Sequence, residues 1–243
     1  MDRGLPHGRA RQSAEIAEAD PMNGDKAGFI RANTAITTPP HVPEIRLHIA
    51  DEAHDLWHKT EEELAQIGLP PPFWAFAWAG GQGLARYVLD NPACVQNRRV
   101  LDFATGSGLV AIAAALAGAK SVTAADIDPF CETAVTLNAA LNGVDIDCEG
   151  HDLVGSPLPE FETVLAGDVF FDREMSSLLI PWFSMLADSG TEILIGDPGR
   201  AYLPRENLTL LADYAVPVTR ALEDAEVKRT CVWRFGAVAR PAA

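Results

Sequence analysis

Residues 98–111 read RRVLDFATGSGLVA. The first seven residues make a short, mostly apolar run of strand length, and Gly106 and Gly108 interrupt it. Small apolar residues then continue to Ala119 and read as a helix over 108–119. A buried strand that passes through a glycine turn into a helix is the opening unit of an open α/β sheet. Glycines let a backbone approach a ligand closely, and the helix start favours negative or hydrogen-bond-accepting groups.

The same alternation continues downstream. SVTAADI (121–127) reads as a strand and PFCETAVTLNAALNG (129–143) as a helix opened by Pro129. IDCEG (146–150), TVLAGDV (163–169) and EILIGD (192–197) read as further strands, with REMSSLLIPWFSMLA (173–187) as a helix between the last two. PRENLTLLADYA (204–215) reads as another helix. VPVTRALE (216–223) and VKRTCVWRF (227–235) alternate and lie too close for a helical crossover, so they form a hairpin and one of them is antiparallel. Upstream, EIRLHI (44–49) reads as a strand, HDLWHKTEEELAQIG (54–68) as a helix, and PPPFWAFAWAGGQGLARYVLDNP (70–92) as an aromatic loop that becomes helical near Gln82. The fold class is therefore α/β, a doubly wound sheet with helices on both faces.

Residues 1–40 lack sustained periodicity and carry few large apolar residues, so they are expected to be a flexible tail. The tail holds five basic and five acidic residues, so the formal charge of −15 belongs to residues 41–243, the expected catalytic domain. A domain this acidic repels phosphate backbones and anionic lipid, which argues against nucleic acid and membrane partners. Cys94, Cys131, Cys148 and Cys231 form no CxxC pair and read as reduced packing residues. His41, His48, His54, His58 and His151 show no zinc spacing, so no metal is expected. No apolar stretch reaches membrane-spanning length and no signal-peptide core is present, which reads as a cytoplasmic protein.

Six places along the chain carry chemistry. The turn Gly106-x-Gly108 follows Asp102, and Asp126 ends the next strand 24 residues later. A carboxylate there suits a ribose diol, because it accepts two hydrogen bonds from vicinal hydroxyls. The pair points to a nucleoside-containing ligand. The turn is compatible with a dinucleotide, or with the acidic strand end and glycine turn of an S-adenosylmethionine-dependent methyltransferase, with Ala104 in place of a first glycine. Asp102 favours the second, because a carboxylate there repels pyrophosphate and suits an ammonium. Asp152 follows the third strand, where it can accept a hydrogen bond from an adenine amino group or simply stand in a loop. Asp168 ends the fourth strand and is followed by Phe170 and Phe171. It can hold a substrate ammonium, while Asp172 suits the cap of the following helix. Trp78, beside Gly80 and Gly81, is placed to wall a cofactor pocket, whereas Trp74 and Phe76 serve as wall or as packing. Arg200, in Asp197-Pro198-Gly199-Arg200, can pair with Asp197 or line an entrance.

Taken in order, PFWAFAWAGGQGLARYVLDNP, VLDFATGSGLVAIAAA, DIDPFCETAVTLN, GDVFFD and IGDPGR resemble the electron-transfer flavoprotein beta-subunit lysine methyltransferase family, within the seven-strand S-adenosylmethionine-dependent methyltransferases. Bacterial members are often labelled nicotinamide N-methyltransferases. The resemblance covers about residues 44–235. It implies strand order 3-2-1-4-5-7-6 with the last strand antiparallel, and S-adenosyl-L-methionine as cofactor. It also implies a protein substrate with exposed lysines, the beta subunit of electron-transfer flavoprotein. The implied reaction is attack of a neutral lysine amine on the sulfonium methyl. Asp168 would orient the amine, and Phe171 would stand where related lysine methyltransferases carry tyrosine, keeping an aromatic wall without its hydroxyl. A small-molecule N-methyltransferase, or a nucleotide-binding oxidoreductase or regulatory module, are the alternatives.

Overall fold

A central strand, β3 (Arg99–Phe103), is buried at four of its five positions, as its uninterrupted apolar run requires of a strand covered on both faces. The computed structural model that contains it describes residues 25–50, 71–218 and 226–236. The helix expected over 54–68 and the first 24 residues of the expected tail lie outside the described residues.

Parallel neighbours flank β3 on both sides, β4 (Ser121–Ala125) and β6 (Thr163–Gly167), so Asp102 lies opposite Ala124 on one side and Leu165 on the other. Beyond β4 lies β5 (Asp147–Glu149), and beyond β6 lies β7 (Glu192–Asp197), both parallel. The last strand in sequence, β9 (Val227–Phe235), is antiparallel to β7 and to the outermost strand β8 (Leu208–Pro217). The order β5-β4-β3-β6-β7-β9-β8 is 3-2-1-4-5-7-6 in sheet numbering. The order reverses beside β3, so a crevice opens at the carboxyl ends of β3 and β6, where open α/β sheets bind ligands.

Alternate residues of the strands feed two cores. Val100, Val122, Leu165, Leu194 and Val232 join one with α2 (Ala79–Asp90), α3 (Leu109–Leu116) and α4 (Pro129–Asn142). Leu101, Val164, Ala166, Ile193 and Ile195 join the other with α5 (Arg173–Asp188), which runs through Pro181. Helices therefore cover both faces, as the strand–helix alternation predicts.

Two expectations change. Residues 204–215 are not a helix: a 3-10 turn at Arg205–Asn207 leads into β8. Leu and Ala favour helix locally, but the ladder to β9 from Leu208↔Phe235 to Pro217↔Val227 and the Arg229–Asp213 pair across it favour strand. Of the hairpin arm expected over 216–223, Val216 and Pro217 end β8, and residues 219–223 lie outside the described residues. The tail expectation also fails over residues 25–40. They form α1 (Lys26–Asn33), capped by the Asp25 side chain, and β1 (Ala35–Thr37). β1 pairs antiparallel with β2 (Leu47–Ile49), outside the main sheet. Few apolar residues suffice here because α4 supplies the complement. Phe29 meets Phe130 edge-on at 5.5 Å, Ile30 is fully buried, and the Lys26 ammonium donates to the Pro129 carbonyl at 3.0 Å.

α2 starts at Ala79 rather than Gln82, and its glycines explain why. A Cβ on Gly80 would stand 2.3 Å from the Gly196 carbonyl oxygen, and one on Gly167 would stand 2.9 Å from the Gly81 Cα. The first turn of α2 therefore lies directly on the backbone at the carboxyl ends of β6 and β7.

Candidate active site

The chain leaves β3 through three left-handed residues in five: Ala104 (φ 54°), Gly106 (φ 53°) and Gly108 (φ 81°), the last opening α3. Glycine adopts this region freely, whereas Ala104 carries a strain of about 1 kcal/mol or more. The turn is held from below by Asp102, whose Oδ2 accepts the Thr105 hydroxyl at 2.5 Å and the Ala111 backbone N–H at 2.9 Å. Asp102 is only 1% exposed. Burial raises its carboxyl to about 7, against the lowering effect of those two donors. In this structure Asp102 is a buried brace of the turn.

Asp126 stands at the end of β4, half-buried, and reaches the same turn. Its Oδ2 accepts the Gly106 N–H and its Oδ1 the Asp128 N–H, each at 3.0 Å. Ile127, beside it, is 73% exposed, an aliphatic surface next to a carboxylate. Sequence reads Ile127 as the last residue of a strand over 121–127, whereas the strand ends at Ala125 and leaves it exposed. Asp152 is exposed in the loop after β5, where its Oδ1 accepts the Val154 N–H at 3.0 Å. The left-handed glycine turn, the carboxylate facing it and the exposed aliphatic side chain suit the backbone contacts, diol and flat base of a nucleoside ligand.

Across the crevice, Asp168 ends the run of β6 with φ 58°, a conformation that aspartate tolerates better than most residues. It is 8% exposed. Its Oδ2 accepts the Gly81 N–H of the first turn of α2 at 2.9 Å. Its Oδ1 accepts the Arg200 Nε and Nη2 at 3.0 and 2.6 Å. The Arg200 side chain therefore pairs with Asp168 and not with Asp197, the partner expected for it. Asp197 instead accepts the backbone N–H groups of Gly199 and Arg200 at 2.6 and 2.7 Å. Burial raises the Asp197 carboxyl, and its Oδ2 has no hydrogen-bond partner among the described residues. Nothing in local sequence pattern links Arg200 to a carboxylate 32 residues earlier.

Aromatic side chains join the two halves. The Arg200 guanidinium lies 5.9 Å from the centre of the Trp78 ring, and Trp78 Nε1 donates to the Phe73 carbonyl at 3.1 Å. Phe73, 48% exposed, stands 5.8 Å from Phe171, 50% exposed. A Cβ on Gly106 would lie 3.6 Å from the Phe73 carbonyl oxygen, so Phe73 borders both the glycine turn and the aromatic lip. Trp74 does not line this lip: it is buried and stacked on Phe130 at 5.7 Å. Asp172 caps α5 by accepting the Met175 N–H at 2.8 Å.

Comparison with known proteins adds the following. The family model for ribosomal protein L11 methyltransferase (PrmA) matches residues 86–166. The electron transfer flavoprotein beta subunit lysine methyltransferase of Xenopus laevis is 38% identical over 213 residues, which are 85% of each chain. The human protein of that name is 32% identical over 221 residues, covering 85% of this chain and 80% of its own. Among solved structures, ribosomal protein L11 methylase from Lactobacillus delbrueckii subsp. bulgaricus is 25% identical, with TM-score 0.48, covering 66% of this chain and 81% of its own.

Proposed function

The chain belongs to the electron transfer flavoprotein beta subunit lysine methyltransferase family, and on that premise we propose that its crevice methylates lysines of an electron-transfer flavoprotein beta subunit. The methyl donor of such an enzyme is S-adenosylmethionine, which supplies a methyl group on a positively charged sulfur. Membership decides between the dinucleotide and S-adenosylmethionine readings of the glycine turn.

Each part of the crevice has a task in this reading. The turn at Gly106 and Gly108 gives a close backbone floor, and Asp126 takes the ribose hydroxyls. Ile127 offers an apolar face for the base, and Asp152 stands within the same edge for its amino group. Asp102 keeps the turn in shape from beneath. On the substrate side, Phe73, Trp78 and Phe171 form a sleeve that admits an aliphatic chain and excludes water. Asp168 lies at its end and orients the amine by accepting its hydrogen bond. Alignment of this kind contributes more to transfer between two preassembled groups than a strong acid or base does. A cytoplasmic setting belongs to the same reading. Among the described residues, no helix is long and apolar enough to cross a membrane.

The observation that carries the reading is the position of Phe73, which borders Gly106 with its carbonyl and Phe171 with its ring. It brings the cofactor turn and the amine sleeve to one point. Incubation with labelled S-adenosylmethionine and purified electron-transfer flavoprotein beta subunit should label lysines of that protein. Asp168→Asn should reduce the rate by about 10²–10³-fold, the cost of one preorganised electrostatic contact, with S-adenosylhomocysteine affinity retained. Label on free nicotinamide with none on the protein would overturn the substrate assignment.

A further inference from the structure

The Asp168 carboxylate poses a chemical problem. A lysine amine attacks only when its nitrogen has a lone pair, and near neutral pH it arrives as an ammonium. A carboxylate within hydrogen-bond reach stabilises that ammonium and opposes proton loss. Asp168 alone would therefore hold the substrate well and in the wrong protonation state.

We infer that Arg200 is a positioning residue that corrects this: by engaging Asp168 it offsets the carboxylate charge, so that the site receives the substrate lysine as a neutral amine. The inference rests on the lysine-methyltransferase reading above. Three observations carry it. Arg200 places both Nε and Nη2 on one oxygen of Asp168, a fork that fixes its position. The guanidinium also lies against the Trp78 ring, in the wall of the sleeve that the substrate would enter. Both partners are largely enclosed, with side-chain exposures of 21% and 11%, so water screens their charges weakly.

Among the described residues, the other groups around the carboxylate leave this role to Arg200. The first turn of α2 contributes the Gly81 N–H and no acidic side chain. The 73–78 segment contributes aromatic and alanine side chains only. From the end of β7 comes Asp197, whose carboxyl burial raises against the backbone N–H groups of Arg200 and Gly199 that it accepts and the charges of Arg200 and Arg205. Asp102 is tied to Thr105 and Ala111 beneath the glycine turn. At the start of α5, Asp172, Arg173 and Glu174 are exposed to solvent. Arginine also keeps its proton under all ordinary conditions, so the offset is present at every working pH. In the proton step, one N–H bond of the substrate ammonium breaks and the proton passes to bulk water. Neither Asp168 nor Arg200 changes protonation.

The test compares wild type, Arg200→Met and Arg200→Lys, with purified electron-transfer flavoprotein beta subunit as acceptor. Melting temperature and S-adenosylhomocysteine affinity establish that each variant folds. Without the cation, Asp168 holds the bound amine charged to higher pH, so the rising limb of kcat, which reports groups in the enzyme–substrate complex, should move to higher pH in Arg200→Met. Activity near pH 7 should fall by about tenfold or more and recover in strongly alkaline buffer. Arg200→Lys keeps a cation without the fork and should restore most of the pH profile. A second readout needs no turnover. In a complex with S-adenosylhomocysteine, the 13Cε resonance of the target lysine should titrate at higher pH with Arg200→Met than with wild type. Methylation by wild type with superposed pH profiles, or a folded Arg200→Met equally slow at every pH, would overturn the inference and leave the substrate reading standing. Absence of methylation by wild type would overturn the substrate reading, and this inference with it.

Discussion

Gly196 and Gly80 meet backbone to backbone: a Cβ on Gly196 would stand 2.1 Å from the Gly80 carbonyl oxygen. The contact seats the first turn of α2 on β7 and thereby aims the Gly81 N–H at Asp168. Gly196→Ala should push α2 away from the sheet. The expected cost is about 3 kcal/mol or more, since no side-chain rotation can relieve a clash with backbone. Urea denaturation measures it. A loss below about 1 kcal/mol would mean that α2 can shift at little cost.

Asp102 makes stability depend on pH. Its carboxyl is raised to about 7 from 3.8, chiefly by burial. The folded chain thus binds this proton more tightly than the unfolded chain does. On this group's account stability is highest below about pH 4 and falls as pH rises towards 7, by up to about 4 kcal/mol. Asp102→Asn cannot lose that proton. Denaturation at pH 5 and pH 8 should show a smaller decline in the variant than in wild type, and equal declines would contradict the burial argument.

Asp126→Asn tests the cofactor side. The change keeps size and one acceptor while removing the charge offered to ribose hydroxyls. Affinity for S-adenosylhomocysteine, measured by calorimetry, should weaken by about tenfold or more. Unchanged affinity in a folded variant would remove Asp126 from the site.

Ile30→Ala tests the ordered part of what composition reads as a tail. Ile30 is fully buried in a cluster with Trp74, Phe76 and Phe130. Truncation should destabilise the protein by about 2–4 kcal/mol, the range for a buried aliphatic side chain reduced to alanine. A melting temperature equal to wild type would show that α1 adds nothing to the folded domain.

What sequence could disclose follows the range over which each signal acts. β3, β4, β6 and β7 declare themselves through apolar runs bounded by glycine and acidic residues. α4 declares itself through Pro129 at its first turn, and α5 through the cap at Asp172. The carboxylates at strand ends were legible for the same reason, since a strand end is a local event. β8 was not, because its leucines and alanines suit a helix until β9 is beside it. α1 was not, because its partner Phe130 lies about 100 residues away in sequence. Arg200 and Asp168 are each visible in local motifs, yet their pairing is a property of the assembled sheet edge. The inward task of Asp102 likewise depends on the burial that α3 creates around it.

The place of β9 between β7 and β8 bears on how the chain reaches this form during synthesis. Residues 227–235 leave the ribosome after every other strand described here, yet they complete the middle of one half of the sheet. Until they arrive, β7 ends in a row of unpaired amides and carbonyls, and β8 has no neighbour to hold it extended. The newly made chain must therefore carry an open strand edge for the time it takes to add its last strand, a period of several seconds at ordinary elongation rates of about 5–20 residues per second. An open edge is a template for pairing with another chain. Slow translation or truncation before Val227 should thus yield aggregates rather than a smaller working enzyme.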